Sequence, residues 1–310
     1  MMNAVTNAEA KRNMKVKKVF GRIGIGIITV YALISALVFL FPTVVTVVNS
    51  FMTKEEINAN YGAMIQNFDS AKEKTYISDE LNLKLIPDKV SFSQYASVLF
   101  KEPDYLMKFW NSVILVVPIV LFQLIVSLLA AYSFAGKKSK FKGIVFFAYI
   151  ILMLMPYQVT LVPNYLVADK LGLLNTRLAV ILPGIFSPFS VFLFTKTMQR
   201  IPVSYMEAAR LDGANEFKIF TMISVPLCKS SIFSVLMLLF IDYWNMVEQP
   251  VIMLENEAYH PLSVFLSKIN SDDIGLAFAM AVIYMVPALL LFFYGEDYLA
   301  EGITYSSGSK

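Results

Sequence analysis

The hydrophobic stretch FIDYWNMVEQPV, residues 240–251, carries polar and ionisable side chains that could contact a solute. In a helix, the i, i+3, i+7 spacing places Asp242, Asn245 and Gln249 near one face, with Glu248 adjoining. Carboxylates and amides accept hydrogen bonds from hydroxyl groups, and amides also donate them. Because ionisable side chains within an apolar span are costly, they usually face protein or a water-filled path. The pattern therefore indicates a path for a hydroxyl-rich solute.

Aromatic side chains beside these residues add a second kind of contact. Tyr243 or Trp244 can offer a ring face to the C–H surface of a solute. The alternative stays open that Asp242 and Glu248 only hydrogen-bond neighbouring helices. Weaker candidates for the same path are Gln123, Tyr157, Gln158, Asn164, Tyr165 and Tyr284.

A second group of candidates lies in the polar segment EAARLDGANEFKIFTMISVP, residues 207–226. Such a segment cannot lie in lipid, so it must face water at one mouth of a membrane bundle. It predicts two short helices joined at Asp212 and Gly213, since glycine permits the turn and Asp212 can cap the second helix. The segment is suited to docking a partner. Alternatively, Glu207 is an ordinary helix-starting acid paired with a basic neighbour such as Arg210.

Hydrophobic blocks long enough to cross a membrane surround both groups of candidates. Hydrophobic residues make up 57% of the 310-residue chain and charged residues 16%, and the mean hydropathy is +0.62. A soluble domain of this size would not bury that much apolar surface. The blocks predict an all-α, polytopic membrane protein with about six transmembrane helices of roughly 20 residues each. The predicted spans are residues 23–50, 109–135, 143–168, 178–197, 230–254 and 275–299.

Basic residues in the short connections predict the orientation of these spans in a cell membrane. Lys and Arg collect before the first span and in the connection at residues 137–142. Both positions are therefore expected in the cytoplasm, and so is the C-terminus, because an even number of spans separates the two ends. The predicted organisation is a cytoplasmic segment at 1–22, a transmembrane domain at 23–299 with an external loop at 51–108 and a cytoplasmic loop at 198–229, and a cytoplasmic tail at 300–310.

Short motifs in the second half of the chain point to one transporter family. The motifs are Glu-Ala-Ala at 207–209 followed by Gly213, Ile223 and Pro226, LGLLNT at 171–176, Ile-Pro at 201–202 and Tyr-Trp-Asn at 243–245. In this order and spacing, over about residues 111–303, they resemble the permeases of ABC importers. The resemblance is to the carbohydrate branch, specifically the smaller permease of maltose-type systems.

The resemblance implies a role for the polar segment and a set of partners. In this family an ATPase subunit grips the permease through the Glu-Ala-Ala loop. Carried over to this sequence, the coupling residues are Glu207, Ala208, Ala209, Asp212, Gly213 and Pro226. The implied partners are a second permease, two ATP-binding subunits and an extracellular solute-binding protein, and the implied mechanism is alternating access. The external loop at 255–273 corresponds to one that reaches the binding protein.

Missing motifs narrow the function further. No G-x-x-x-x-G-K-[ST] occurs in the sequence, so ATP and Mg²⁺ are expected on partner subunits, with no cofactor on this chain and no enzymatic activity. The single cysteine, Cys228, is expected to be an inert apolar residue, and the single histidine, His260, a solvated loop residue. No metal site is expected, since a metal requires several such donors together. No basic and aromatic pattern suggests nucleic-acid binding.

Three other functions are compatible with the same residues. The first is an ABC permease for a different solute, such as a polyamine, a peptide or a phosphodiester. The second is an ion-coupled secondary transporter with Asp242 and Glu248 as coupling carboxylates, although the sequence shows no inverted repeat to favour it. The third is a regulatory membrane protein that uses residues 207–226 for docking and transports nothing.

Overall fold

The computed structural model describes residues 2–69, 84–101, 103–136, 139–268 and 274–307. Every regular element in these residues is a helix, which confirms the predicted all-α class. The chain divides into two compact units, residues 1–94 and residues 95–310.

The first unit contains two long helices. Helix α1 (Met2–Asn49) carries an apolar span in its second half, and the side chains of that span are largely exposed. Helix α2 (Lys54–Asp69) follows, inside the segment predicted to be an external loop. The Glu56 carboxylate in α2 accepts a hydrogen bond from the Asp88 backbone N–H at 2.7 Å and pairs with Lys84 at 3.4 Å. The predicted loop is therefore partly helical and internally bonded.

Thirteen further α-helices follow in the described residues, and the remaining candidate spans are among them. They are α3 (Ser93–Ala96), α4 (Pro103–Ala135), α5 (Lys140–Met153), α6 (Tyr157–Lys170), α7 (Arg177–Gly184), α8 (Pro188–Met198), α9 (Val203–Leu211), α10 (Glu216–Ile219), α11 (Val225–Leu227), α12 (Lys229–Trp244), α13 (Glu248–Met253), α14 (Leu262–Ser267) and α15 (Ile274–Ser307). Within the described residues, four helical segments are long and apolar enough to cross a membrane, or six if each bent pair counts as one span. The larger number equals the six spans predicted from the sequence.

Helix α4 lies at the centre of the second unit. One side of α4 packs against α8 and α12, where Val120, Phe194 and Leu239 are buried together. Another part of its surface packs against α7, through Ile119 and Val180. Helix α12 in turn packs along α15. A helix that is apolar around most of its circumference buries itself in this way.

Three predicted spans are not continuous helices. The predicted span 178–197 divides into α7 and α8, with residues 185–187 between them. The predicted span 143–168 splits into α5 and α6, whose axes differ by 104°. Pro156 accounts for this break, because proline lacks an N–H donor and disfavours helical backbone at the residue before it. The predicted span 230–254 stops as a helix at Trp244, and the short helix α13 is separate. Together with residues 216–227, which meet it at 75°, α12 is long and apolar enough to form one bent span.

The contact between α12 and α15 requires a glycine, which yields a test of the packing. A methyl group at Gly295 would lie 1.7 Å from Cε1 of Phe233. We expect Gly295→Ala to lower the unfolding temperature of the detergent-purified protein, because overpacking costs about 1–3 kcal/mol. Adding Phe233→Leu should restore most of the loss. The control is Gly143→Ala, where no atom lies within 4 Å of the added methyl. Equal unfolding temperatures for the two alanine variants would contradict this helix contact.

Candidate solute path and coupling segment

A cavity of 980 Å³ lies in the second unit, at three points where the helical structure is interrupted. The interruptions are residues 154–156 between α5 and α6, 185–187 between α7 and α8, and 245–247 between α12 and α13. Each of the three contributes residues to the lining. The polar side chains of the lining belong to Tyr157, Gln158, Thr160, Asn164, Ser187, Asp242, Tyr243, Asn245, Glu248 and Gln249.

Local sequence explains why the helices stop at these points. Pro156 begins α6 and cannot continue α5. Ser187 caps α8, since its hydroxyl accepts a hydrogen bond from a first-turn N–H at 3.4 Å and Pro188 follows in the first helical position. At the end of α12 the Asn245 side-chain amide donates to the Ile241 carbonyl at 2.7 Å. Irregular backbone at membrane depth is tolerated where it lines a water-filled cavity or is buried in protein.

Asp242 and Glu248 line the cavity together with two tyrosines. The Tyr243 hydroxyl donates to the Gly184 carbonyl at 3.2 Å. Among the ion pairs of the described residues, none involves Asp242 or Glu248. The cavity therefore combines hydrogen-bond acceptors with aromatic rings, the chemistry that the sequence indicated.

Amide side chains complete the polar lining. Gln158 and Asn164 on α6 line the cavity, and their role in a solute path stays a prediction. Gln249 lines it too, and its side-chain amide donates to the Val180 carbonyl at 3.3 Å. Gln249 therefore also ties α13 to α7.

Trp244 does not line the cavity, although the sequence suggested a ring contact with solute. Its ring is only 3% exposed and stacks between those of Phe240 and Tyr284, at centroid distances of 5.1 and 5.5 Å. The indole N–H donates to the Tyr284 carbonyl at 3.1 Å. The Tyr284 hydroxyl lies 2.6 Å from the Trp244 carbonyl oxygen and 2.9 Å from Oδ1 of Asn245. Trp244 and Tyr284 therefore fix the end of α12 to α15. Because α12 ends at Trp244, the three residues Asp242, Asn245 and Gln249 do not share one face of a continuous helix, contrary to the prediction from the sequence.

Gln123 and Tyr165 also lie outside the lining. Gln123 is fully buried between α4 and α8, and its Nε2 donates to the Ser190 hydroxyl at 3.0 Å. Tyr165 packs against the buried cluster that contains Ile119. Both residues belong to helix contacts.

Two polar lining residues, Thr160 and Ser187, were not singled out from the sequence. Ser187 was accessible to prediction, because a serine directly before a proline is a typical helix start. Thr160 has no such signal, since only the bend between α5 and α6 brings it to the cavity.

His260 is buried rather than solvated, so that expectation was wrong. It is 6% exposed, and its Nε2 lies 2.9 Å from the Leu254 carbonyl oxygen. Asn111 on α4 donates through Nδ2 to the carbonyls of Ala258 and His260, at 2.7 and 3.2 Å, and its Oδ1 accepts from Arg177 at 2.8 Å. The loop after α13 is therefore folded onto α4 and α7.

The predicted coupling segment forms short helices joined by a glycine turn. Helix α9 ends before Gly213, which adopts a φ of +79°. The Gly213 N–H donates to the Arg210 carbonyl at 3.1 Å and the Ala214 N–H to the Ala209 carbonyl at 2.9 Å. These two bonds form a Schellman motif, which favours glycine at the left-handed position. The turn that the sequence predicted at Gly213 is confirmed.

Two side chains of this segment differ from expectation. Asp212 ends α9 and does not cap the next helix; Asn215 caps α10 by accepting a hydrogen bond from a first-turn N–H at 2.8 Å. Arg210 pairs with Glu216 at 2.8 Å rather than with Glu207. The hydrogen bond to Glu216 raises the pKa of Arg210. Glu207 itself is exposed.

Glu216 also connects the coupling segment to α4. The Tyr132 hydroxyl near the end of α4 donates to Glu216 Oε2 at 2.6 Å. The Phe220 ring packs edge-on against Tyr132 at 5.2 Å, and Ile219 is fully buried. A displacement of the segment would therefore act directly on the central helix.

The same segment presents apolar side chains to its surroundings. Leu211 is 89% exposed, Met222 72% and Phe217 70%. Ala208 and Pro226 are exposed as well. If the segment lies outside the lipid, as the sequence predicts, exposed apolar surface of this kind is typical of a protein contact.

Comparison with known proteins places this geometry in a family. The family model described as binding-protein-dependent transport system inner membrane component matches residues 95–304. The lactose transport system permease protein LacG of Rhizobium radiobacter is 29% identical over 68% of this chain and 78% of its own length. The arabinooligosaccharides transport system permease protein AraQ of Halalkalibacterium halodurans is 30% identical over 70% of this chain and 79% of its own.

A solved structure shares the fold. A chain of a bacterial ABC transporter involved in the import of the acidic polysaccharide alginate superposes with a TM-score of 0.72, covering 91% of this chain and 97% of that one at 21% identity. The described helices, the family match and the relatives agree on a multi-pass transport subunit rather than an enzyme. The chain belongs to the family of binding-protein-dependent transport system inner membrane components.

Proposed function

We propose that the chain is one of two permease subunits of an ATP-driven importer for a sugar or oligosaccharide that an extracellular binding protein delivers. The observation that carries the proposal is the convergence of three helix interruptions on one polar cavity. The relatives support the solute class, since they are named for the transport of lactose and arabinooligosaccharides. An ion-coupled transporter and a regulatory membrane protein have no comparable support, because the family match and these relatives are transport components of binding-protein-dependent or named uptake systems.

The cavity has the chemistry to hold a saccharide. Asp242 and Glu248 accept hydrogen bonds from hydroxyls, and Gln158 and Asn164 both accept and donate them. The ring of Tyr157 offers an apolar face to the C–H groups of the sugar. A volume of 980 Å³ lies at the upper end of the roughly 300–1,000 Å³ that is typical of small-molecule sites.

Energy would enter through the coupling segment. The exposed apolar side chains around Glu207 and Gly213 form a surface to which one ATP-binding subunit would bind. A second ATP-binding subunit would bind the second permease. Closure of those subunits on ATP would displace the segment, and the Tyr132–Glu216 contact would carry the displacement to α4. Helix α4 packs against α7, α8 and α12, which border the cavity, so the path would open alternately to either side. ATP and Mg²⁺ would be bound by the partners.

The proposed orientation places both termini and the coupling segment in the cytoplasm. Lys and Arg concentrate on that side, before the first span and around Lys140, Lys196 and Lys218. The loop after α13, folded onto Asn111 and Arg177, would then face the binding protein.

The Schellman glycine provides a test of coupling with a matched control. Gly213→Ala places a side chain in the left-handed region, where non-glycine residues cost about 1–2 kcal/mol. If docking requires this turn, we expect a loss of saccharide uptake and of solute-stimulated ATP hydrolysis by roughly tenfold, the equivalent of about 1.4 kcal/mol. Gly172→Ala meets the same backbone cost in a second Schellman motif, at the end of α6, and should leave both activities near wild type. Equal effects of the two variants on uptake would contradict the coupling role.

The path residues are tested by conservative neutral substitutions. Asp242→Asn and Glu248→Gln should each reduce uptake per assembled complex about tenfold, unequally for two related saccharides, because hydrogen bonds to charged groups are worth about 1.5–3 kcal/mol. Basal ATP hydrolysis and complex yield should stay unchanged. Gln123→Leu is the control: it removes a buried hydrogen bond outside the cavity and should lower thermal stability without changing the ratio of the two uptake rates. Losses that follow complex yield for all three variants would assign the carboxylates to helix packing.

The orientation is tested by labelling single cysteines in intact cells. The variants carry Cys228→Ser, so that the introduced cysteine is the one thiol of this chain. A membrane-impermeant maleimide added outside should label Glu255→Cys and leave Lys140→Cys and Lys218→Cys unlabelled until the cells are opened. External labelling of Lys218→Cys would place the coupling segment on the wrong side of the membrane.

A further inference from the structure

The lining of the cavity is charged with one sign. It contains two carboxylates, Asp242 and Glu248, and no Lys, Arg or His among the residues that the structure describes. Its other polar groups are hydroxyls and amides, which carry no net charge.

Two cations of the surrounding helices, Arg177 and Lys196, have partners other than these carboxylates. Arg177 on α7 is engaged by the Asn111 side chain at 2.8 Å and by the Tyr259 ring, 5.0 Å from its centroid. Lys196 on α8 lies over the rings of Phe146 and Phe192, at 5.7 Å from each centroid. No ion pair within the described part of the chain reaches Asp242 or Glu248.

Such a cavity distinguishes solutes by charge. A cleft lined by one sign of charge, with low-dielectric walls, concentrates counter-ions and repels ions of its own sign, with effects on association rates of about tenfold or more. Asp242 and Glu248, which both line the cavity, form such a lining.

We infer that this half of the path selects solutes by charge: Asp242 and Glu248 admit neutral and amine-bearing saccharides and reject saccharides that carry carboxylate or sulfate groups. The inference rests on the proposed function and narrows its substrate class. The resemblance to the importer of an acidic polysaccharide does not oppose it, because at 21% identity that resemblance reaches the fold alone.

The charge of the path can be measured without the binding protein, which would otherwise impose its own specificity. Gln158→Cys in a Cys228→Ser background places a single thiol in the cavity of the full transporter complex in membrane vesicles. Its reaction rates are compared for two thiosulfonates of similar size, one bearing a trimethylammonium group and one a sulfonate. The same ratio for free 2-mercaptoethanol corrects for intrinsic reactivity.

We expect the corrected preference for the cationic reagent to be about tenfold or more, as electrostatic focusing in a cleft allows. Asp242→Asn and Glu248→Gln should each lower it roughly threefold, and the double variant should bring it near one. Asp169→Asn, which removes a carboxylate from the other end of α6 and outside the lining, should leave the preference unchanged.

The remaining outcomes separate this inference from the proposed function. The charge selection alone would be overturned by a corrected preference near one when both carboxylates are present, provided that the same vesicles import a neutral saccharide once binding protein is added. Failure of both reagents to react with the thiol introduced by Gln158→Cys, in complexes that hydrolyse ATP, would mean that the cavity is not open to water, and would overturn the proposed path as well.

Discussion

The architecture depends on one constraint, the need of every backbone N–H and C=O group at membrane depth for a hydrogen-bond partner. Helices satisfy that need internally, so each interruption has to be buried in protein or lie at a cavity. Here the interruptions at residues 154–156, 185–187 and 245–247 all border the same cavity. The cavity is therefore a place in the second unit where side chains such as Asp242 and Glu248 can meet water without facing lipid.

Two sets of contacts connect this cavity to the rest of the second unit. The stack of Phe240, Trp244 and Tyr284 holds the end of α12 against α15, so the polar residues that follow are presented from a fixed point. At the other end, Tyr132 ties α4 to Glu216 in the coupling segment. Since α4 also packs against α7, α8 and α12, a push on the segment and a change in the cavity are mechanically linked. In the proposed alternating access, these contacts would transmit a displacement of the coupling segment to the helices that border the cavity.

The sequence predicted those features that depend on local chemistry. Apolar blocks indicated the helical class, and the glycine at 213 indicated the turn. What it missed depends on tertiary contacts. Trp244 looked available to a solute because its burial against Tyr284 involves a helix 40 residues away. His260 looked solvated because the contact of its loop with Asn111 is 149 residues distant in sequence. Asp212 and Asn215 are both good N-capping residues, so the sequence alone does not show which of them begins the second helix. In the structure Asp212 directly follows α9, and Asn215 directly precedes α10.

We propose that this chain provides a solute path whose opening is driven by ATP on partner subunits. The most direct test is uptake of a labelled neutral oligosaccharide by proteoliposomes that contain this chain, its second permease and the ATP-binding subunits. We predict uptake that requires ATP on the side of the coupling segment and binding protein on the other. This uptake should persist when a protonophore and a sodium ionophore collapse the proton and sodium gradients. Uptake that is driven by a proton or sodium gradient in the absence of ATP would contradict the proposal.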